Sequence, residues 1–189
     1  MKKKITAGVD EVGRGCIAGP VVSAAVILKK GINLNLLKDS KKIAFNRREE
    51  ISKHIKLNSY YAVGIASVDE ILNLNILRAS LLSMKRAINQ LQIKPELILI
   101  DGNFAPKGLK NFKTIIKGDE KIKSISAASI IAKVYRDKLM IKLSEKYSKY
   151  AWERNFGYGT KAHMVGLKKF GITSHHRKSF KPIHKILSR

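Results

Sequence analysis

The first apolar stretch of the chain, residues 5–28, places the tightest constraint on its fold. Two apolar runs, 5–9 and 21–28, are rich in β-branched residues and are separated by Asp10, Glu11 and a glycine-rich turn. This pattern predicts two strands, and glycine permits a bend directly after the acids. Adjacent strand residues point to opposite faces, so the two acids can share a ligand only where the strand ends or bends. The stretch therefore predicts either a divalent-metal site beside a glycine loop or a hairpin with a solvated acidic turn.

Two further acids follow strand-like runs in the same way as Asp10. Residues 97–100 lead directly into Asp101, and a predicted strand over 113–116 is followed by Asp119. A continuous apolar run is typical of a central strand, and open α/β sheets place functional groups at the carboxyl ends of their strands. Asp101 and Asp119 are therefore candidate functional acids, although a lone acid at such a place is also typical of an Asx-turn.

The remaining pattern predicts an α/β chain. Residues 60–67 favour a third strand, and residues 75–91 favour a helix whose broad apolar stripe belongs in the core. The longest helical pattern spans 122–147, and its small residues at 124–129 should let the helix approach the sheet closely. The dipeptide Arg136–Asp137 is interpreted as a surface charge pair of this helix, outside the site.

Composition limits the class of protein. The length of 189 residues predicts one domain with a proper core. No apolar run is long enough to span a bilayer, and the single cysteine, Cys16, fits a reducing cytoplasm. The net charge of +24 favours a polyanionic partner, most simply nucleic acid. A lysine-rich codon bias would produce the same charge.

Three positions are candidates for contact with such a polyanion. Lys41 lies at the predicted start of a helix, where phosphates bind readily. Tyr158 lies between two glycines and suits stacking on a nucleotide, and Arg177 lies in a basic tail. Each has a plain alternative: an exposed polar turn for Lys41, a packed loop aromatic for Tyr158, and a solvated face for Arg177.

Six motifs, in order along essentially the whole chain, resemble those of ribonuclease HII, the type 2 ribonuclease H family. They are DEVGRG at 10–15, DSKK at 39–42, IDG at 100–102, GD at 118–119 with SISAASIIAKV at 124–134, GYGT at 157–160, and HRKSF at 176–180. The resemblance implies one catalytic domain with a ribonuclease H-like mixed central sheet flanked by helices. Residues 1–145 would form its core and residues 146–189 a helical segment that contacts substrate. The chain departs from the family's usual pattern at 148–152, which leaves the shape of that loop open.

The resemblance also assigns site roles by position. The catalytic, metal-binding acids fall on Asp10, Glu11, Asp101 and Asp119. The substrate-binding positions fall on Gly13, Arg14, Gly15 and Tyr158, to which Lys41 and Arg177 would add phosphate contacts. Two Mg²⁺ or Mn²⁺ ions are implied as cofactors, because hard oxygen ligands suit them.

The activity implied is endonucleolytic hydrolysis of the RNA strand in RNA–DNA hybrids and incision 5′ to single ribonucleotides in duplex DNA. The products would carry 3′-hydroxyl and 5′-phosphate ends. We expect a cytoplasmic monomer without membrane association, with a replication or repair partner at its C-terminal tail. A basic RNA-binding protein would explain the charge but not four acids at strand ends. A metal-dependent nuclease of other specificity would share the acids but not the glycine loop with Tyr158.

Overall fold

The computed structural model describes residues 4–33 and 45–188, so the motif at 39–42, with Lys41, lies outside the described residues. The described part contains one five-stranded sheet. Its strands are β1 (Thr6–Val12), β2 (Val21–Leu28), β3 (Ser59–Ala66), β4 (Leu97–Asp101) and β5 (Phe112–Ile115).

The strand order is β3-β2-β1-β4-β5, which gives a mixed sheet. Strands β1, β4 and β5 are parallel, whereas β2 is antiparallel to both β1 and β3. The carboxyl ends of β1, β4 and β5 therefore meet at one edge, as the strand-end acids require. The predicted mixed sheet flanked by helices is confirmed. One detail differs, because β1 continues through both acids to Val12 rather than ending before them.

Helices account for most of the remaining described chain. They are α1 (Phe45–Leu57), α2 (Val68–Asn89), α3 (Gly118–Lys121), α4 (Lys123–Lys146), α5 (Trp152–Asn155), α6 (Lys161–Phe170) and α7 (Lys181–Leu187), with a 3₁₀ turn at Ser148–Tyr150. Helix α2 begins earlier than predicted because Ser67 and Glu70 form a capping box. At Asn75, φ is 67°, so the helix is interrupted there. The predicted 75–91 helix is its second segment.

The core lies on both faces of the sheet. Helix α4 covers β1 and β2 on one face, where Ile130 and Ile131 pack with Ala24 and other buried residues. Helix α2 covers the other face, where Met84 packs with Val9. Successive residues of β1 therefore point alternately towards α4 and towards α2. Buried apolar side chains pack on both faces of the sheet.

The close approach of α4 to the sheet, predicted from its small residues, also depends on Gly8. A Cβ at Gly8 would lie 2.2 Å from the backbone carbonyl carbon of Ser124. Gly8→Ala should therefore lower the free energy of unfolding by about 2 kcal/mol in urea denaturation. The control is Gly159→Ala, whose Cβ would lie 3.5 Å from Ile17 and should cost little. An equal loss in both variants would contradict the packing argument.

The C-terminal helices pack on the far end of α4 and on the turn that follows β1. Their cluster includes Trp152, Leu167 and Ile183 together with Met140 of α4 and Ile17. The segment after α4 is thereby held against the turn that follows the first two acids. Across residues 4–33 and 45–188, no helix combines the length and apolar character needed to cross a membrane.

Candidate active site

The strand register brings the predicted acids to one edge of the sheet. Val9 of β1 is paired with Ile100 of β4, so Asp10 and Asp101 follow side by side. Beyond them, the backbone N–H of Gly118 donates to Asp101 Oδ1 at 2.6 Å. This bond holds the start of α3, and with it Asp119, against the end of β4.

Asp10 is the most strongly perturbed of these acids. Its side chain is 6% exposed, and its Oδ1 accepts a hydrogen bond from the Glu11 N–H at 2.7 Å. Burial raises the pKa of Asp10 well above its ordinary value, and the negative charges of Glu11 and Asp101 raise it further. A hydrogen bond from Ser129 on α4 opposes this rise in pKa without cancelling it.

Glu11 lies on the same edge, and its side chain is 12% exposed. Burial raises its pKa, the Arg14 guanidinium at 3.3 Å lowers it, and Asp101 raises it again. The negative charge of Asp101 thus raises the pKa of both Asp10 and Glu11. Such a cluster of buried carboxylates is costly for the protein alone and favourable around a divalent cation.

The donor set therefore fits a hard metal ion. Three carboxylates feel one another's charge at this edge, and Asp119, 9% exposed, follows Gly118 beside them. In the described ranges, no three Asp, Glu, His or Cys side chains converge closely enough to enclose an ion. An open row of acids suits Mg²⁺ or Mn²⁺, because such ions complete their shells with water and phosphate oxygens.

The glycine loop after the acids is held by a buried arginine from α4. Gly13 has φ 95°, and a Cβ there would lie 2.2 Å from Arg136 Nε, so only glycine fits. The guanidinium of Arg136 donates to the carbonyls of Ala18, Pro20 and Phe156 at 2.8–3.0 Å. The prediction that Arg136 belongs to a surface charge pair was therefore wrong, since its side chain is fully buried.

Arg177 also occupies a different environment from the one predicted. Its side chain is only 1% exposed, and it donates to the carbonyls of Arg14, Gly19 and Pro20 at 2.9–3.2 Å. With its guanidinium enclosed by backbone, Arg177 has no surface to offer a phosphate. The structure instead makes it a support for the turn that carries the glycine loop.

Tyr158 stands beside that loop with its ring 41% exposed. A Cβ at Gly15 would lie 3.9 Å from Tyr158 Cε1, so the ring borders the loop directly. Lys133 Nζ lies 5.9 Å from the ring centroid. Burial of the hydroxyl, with a contribution from Cys16, raises the pKa of Tyr158, which keeps the phenol protonated. The exposed face of the ring is free to stack on a flat group.

A cavity of about 250 Å³ lies between the acidic edge and Tyr158. It is lined by Glu11, Val12, Arg48, Ser129, Ile130, Lys133 and Tyr158. Three of these residues were not predicted from the sequence: Arg48, Ser129 and Lys133. For the last two, the available signal was their spacing of four residues along α4, which puts both on one helix face.

Asp137 continues that face by one more turn and is also fully buried. It accepts a hydrogen bond from Lys133 Nζ at 2.8 Å, and Arg48 Nη1 lies 3.8 Å from its Oδ2. Burial raises the pKa of Asp137, while Lys133 and Arg48 lower it. Asp137 is therefore a buried anchor for two cations of the cavity wall, and the prediction of a surface position was wrong.

A buried histidine pair lies behind Tyr158. His163 Nδ1 bonds to the Tyr158 carbonyl at 2.9 Å, and its Nε2 lies 3.1 Å from His176 Nε2. Trp152 Nε1 donates to the same His163 Nε2 at 3.0 Å. The predicted basic tail included His176, but the sequence pattern did not predict that this side chain is buried against His163.

Acid should destabilise the protein through this pair. Burial, together with the neighbouring His163, lowers the pKa of His176 from its ordinary 6.5 to about 4. Between these values the unfolded chain binds more protons, so stability falls as pH decreases from 6.5 to 4 and levels off below. The shift corresponds to about 3 kcal/mol.

Urea unfolding at pH 7.5 and pH 4.5 measures this loss in the wild type and in His176→Asn. Asn keeps an acceptor for the Thr173 N–H, which bonds to His176 Nδ1 at 2.8 Å. The variant should be less stable at pH 7.5 and should lose less stability on acidification than the wild type. Equal acid sensitivity in the two proteins would contradict the prediction.

Comparison with known proteins identifies the family of this chain. A model of the ribonuclease HII family matches residues 7–183. The ribonuclease HII of Pelagibacter ubique (strain HTCC1062) is 60% identical over 186 residues, which cover 97% of this chain and 100% of that one. The crystal structure of ribonuclease H2 from Pyrococcus horikoshii OT3 has a TM-score of 0.81 at 29% identity and covers 97% of both chains. Ribonuclease HII from Archaeoglobus fulgidus, solved with PCNA, has a TM-score of 0.77 at 29% identity and covers 94% of this chain and 95% of that one.

Both the sequence and the fold thus match over nearly the full length, and the range matched by the family model spans the positions of all four acids. The chain belongs to the ribonuclease HII family, metal-dependent endonucleases that hydrolyse the RNA of RNA–DNA hybrids.

Proposed function

We propose that this protein, besides cleaving hybrids, incises duplex DNA on the 5′ side of a single ribonucleotide. The observation that carries the proposal is the position of Tyr158 and the glycine loop directly beside the acidic edge. A nuclease that cuts any RNA strand needs only the acids. A nuclease that recognises a single ribonucleotide in DNA must also contact its 2′-hydroxyl, the group that distinguishes RNA from DNA.

The acids serve as the metal-binding part of the site. Asp10, Glu11 and Asp101 would bind two Mg²⁺ or Mn²⁺ ions directly, and Asp119 would hold the second ion more loosely or position the water. When bound, such ions supply Lewis-acid chemistry that lowers the pKa of the attacking water and stabilises the departing 3′ oxygen. The raised pKa values of Asp10 and Glu11 support this assignment, because a bound cation would favour the charged forms that burial and the neighbouring carboxylates disfavour.

The remaining residues select and orient the substrate. Backbone groups of Gly13, Arg14 and Gly15 would hydrogen-bond the 2′-hydroxyl, while Tyr158 stacks on the sugar at the junction. Lys133 and Arg48 give the adjoining cavity a positive wall, which suits a neighbouring phosphate. These contacts orient the scissile phosphate over the acids.

The domain and its partners follow from the same proposal. We propose that residues 1–189 act as one catalytic domain and as a monomer, with the segment after 145 contacting substrate. The complex of Archaeoglobus fulgidus ribonuclease HII with PCNA supports a replication partner for this chain as well. The C-terminal tail is the segment proposed to bind it.

A panel of three labelled duplexes tests the proposal. An RNA–DNA hybrid, a DNA duplex with one ribonucleotide and an all-DNA duplex are incubated with protein and Mg²⁺ or Mn²⁺. We expect cleavage of the first two, with 3′-hydroxyl and 5′-phosphate ends. Cleavage of the hybrid alone would reject incision at single ribonucleotides, and cleavage of the all-DNA duplex would indicate a nuclease of other specificity.

A further inference from the structure

Two neighbouring residues of the C-terminal part, His176 and Arg177, connect the two elements proposed to recognise the ribonucleotide: Arg177 bonds to the glycine loop directly, and His176 reaches Tyr158 through His163. Arg177 Nη1 donates to the Arg14 carbonyl at 3.0 Å, within the glycine loop. His176 Nε2 lies 3.1 Å from His163 Nε2, and His163 in turn bonds to the Tyr158 carbonyl. One rigid dipeptide thus connects the loop with the tyrosine.

Backbone hydrogen bonds fix this dipeptide against the turn after the loop. The Arg177 N–H donates to the Ile17 carbonyl at 2.9 Å, and the Gly19 N–H donates to the His175 carbonyl at 2.8 Å. Ala18 and His176 form a β-bridge between them. The position of His176 relative to the glycine loop is therefore set by main-chain bonds.

The hydrogen bonds also determine where both histidines carry their protons. A carbonyl only accepts, so His163 donates from Nδ1 to Tyr158, and its Nε2 must be the acceptor for Trp152 Nε1–H. His176 must then donate from Nε2 to His163. Its Nδ1 is left as the acceptor that the Thr173 N–H requires. The chain of bonds is consistent only when both histidines are neutral and each has one particular tautomer.

The same bonds hold the backbone of Tyr158 on both sides. Its carbonyl accepts from His163 Nδ1 and from the Thr160 N–H at 2.8 Å, and its N–H donates to the Asn155 carbonyl at 2.9 Å. Tyr158 is 41% exposed, and its hydroxyl end is held beside Cys16. The direction of the ring is therefore set at both ends, by the hydroxyl contact and by a backbone to which His163 supplies one of three hydrogen bonds.

We infer that His163 and His176 are positioning residues that set the Tyr158 ring against the glycine loop and thereby determine selectivity for the ribonucleotide junction. The inference rests on the proposed function, because it assumes that Tyr158 and the glycine loop recognise the sugar of the ribonucleotide. It assigns a role to two histidines that touch neither the acids nor the cavity. Both act through Tyr158 and not on the reacting atoms.

A double-mutant cycle between His163 and Tyr158 tests the inference. The measured quantity is the rate of incision at one ribonucleotide in duplex DNA, for wild type, His163→Leu, Tyr158→Ala and the double variant. If His163 acts through the ring, His163→Leu should reduce incision about tenfold in the wild type and less than about twofold when the ring is absent. Equal losses in the two backgrounds would overturn the inference.

His175→Leu is the matched control. His175 packs on Tyr147 and Trp152 in the same aromatic cluster, yet within the described chain its ring makes no hydrogen bond to the Tyr158 loop. Its effect on incision should be the same with and without the Tyr158 ring. A coupling as large as that of His163 would show that the cycle reports general loosening of the cluster, and would overturn the inference.

His163→Asn keeps the assay informative if His163→Leu fails to fold. An Asn amide N–H replaces the Nδ1 donor to Tyr158 but not the Nε2 acceptor, so incision should remain within about threefold of wild type despite a lower melting temperature. A loss of incision as large as that of Tyr158→Ala in folded His163→Asn would contradict the role.

Nitrogen NMR of the substrate-free protein gives a test that needs no activity. At pH 7.5, we expect His163 to carry its proton on Nδ1 and His176 on Nε2. The opposite tautomer at His163 would overturn the inference whatever the enzyme cleaves. A wild-type protein with these tautomers that does not incise at a single ribonucleotide would instead reject the proposed function.

Discussion

Asp10→Asn should reduce the cleavage rate by about a thousandfold or more, while the metal-free protein becomes at least as stable as wild type. Asn preserves the shape of the side chain and the acceptor for the Glu11 N–H, but it removes one negative charge from a row of buried acids. The catalytic loss follows because a metal ligand and its charge disappear. The gain in stability, about 1 kcal/mol, follows because the cost of burying the carboxylate and its repulsion with Glu11 and Asp101 disappear as well.

Thermal melts in EDTA, and in Mg²⁺ or Mn²⁺, measure the change in stability caused by Asp10→Asn. Metal should raise the melting temperature of the wild type more than that of Asp10→Asn, since binding stabilises the folded state. Asp69→Asn, an exposed acid in the first turn of α2, is the control and should change neither cleavage nor the metal effect. A less stable Asp10→Asn with full activity would contradict the role of Asp10.

Tyr158→Ala should reduce incision at a single ribonucleotide by about 10- to 100-fold, because stacking on an aromatic ring contributes about 1–3 kcal/mol. Binding to an all-DNA duplex should change by less than about threefold, since the cations that contact phosphates remain in place. Incision should fall more than duplex binding because the Tyr158 ring borders the glycine loop and is not one of the cations expected to contact phosphates. Incision rates and binding isotherms on matched duplexes measure the two quantities.

Tyr61→Ala provides a matched comparison for Tyr158→Ala. Tyr61 lies on β3 with its ring 38% exposed, close to the 41% of Tyr158, but away from the acidic edge. Its removal should leave both incision and binding unchanged. If Tyr158→Ala weakened duplex binding as much as incision, its role would be general affinity and not junction recognition.

The sequence predicted the features that depend on local pattern. The strand at Leu97–Asp101 and the helix at Lys123–Lys146 follow from hydrophobic periodicity. The position of the acids also followed, because a residue near the carboxyl end of a strand lies towards the sheet edge wherever the strand lies in the sheet.

The buried polar residues did not follow from local pattern. Arg136, Asp137 and Arg177 were expected at the surface, where charged residues are commonly found. Each is buried because its partners come from far along the chain: Arg177 donates to the Arg14 carbonyl across 163 residues. The histidine pair behind Tyr158 was missed as well, although Tyr158, Trp152 and His176 all lie within 13 residues of His163. Spacing along the chain carries no information about such contacts, so only the folded structure reveals them.

The most direct test of the account is the position of the cut in a DNA duplex that carries one ribonucleotide. The two proteins compared are wild type and Asp10→Asn, each with Mg²⁺ or Mn²⁺. The account predicts a single metal-dependent cut on the 5′ side of the ribonucleotide by the wild type and none by the variant. Tight binding without a cut under either metal, or a cut that persists in Asp10→Asn, would contradict it.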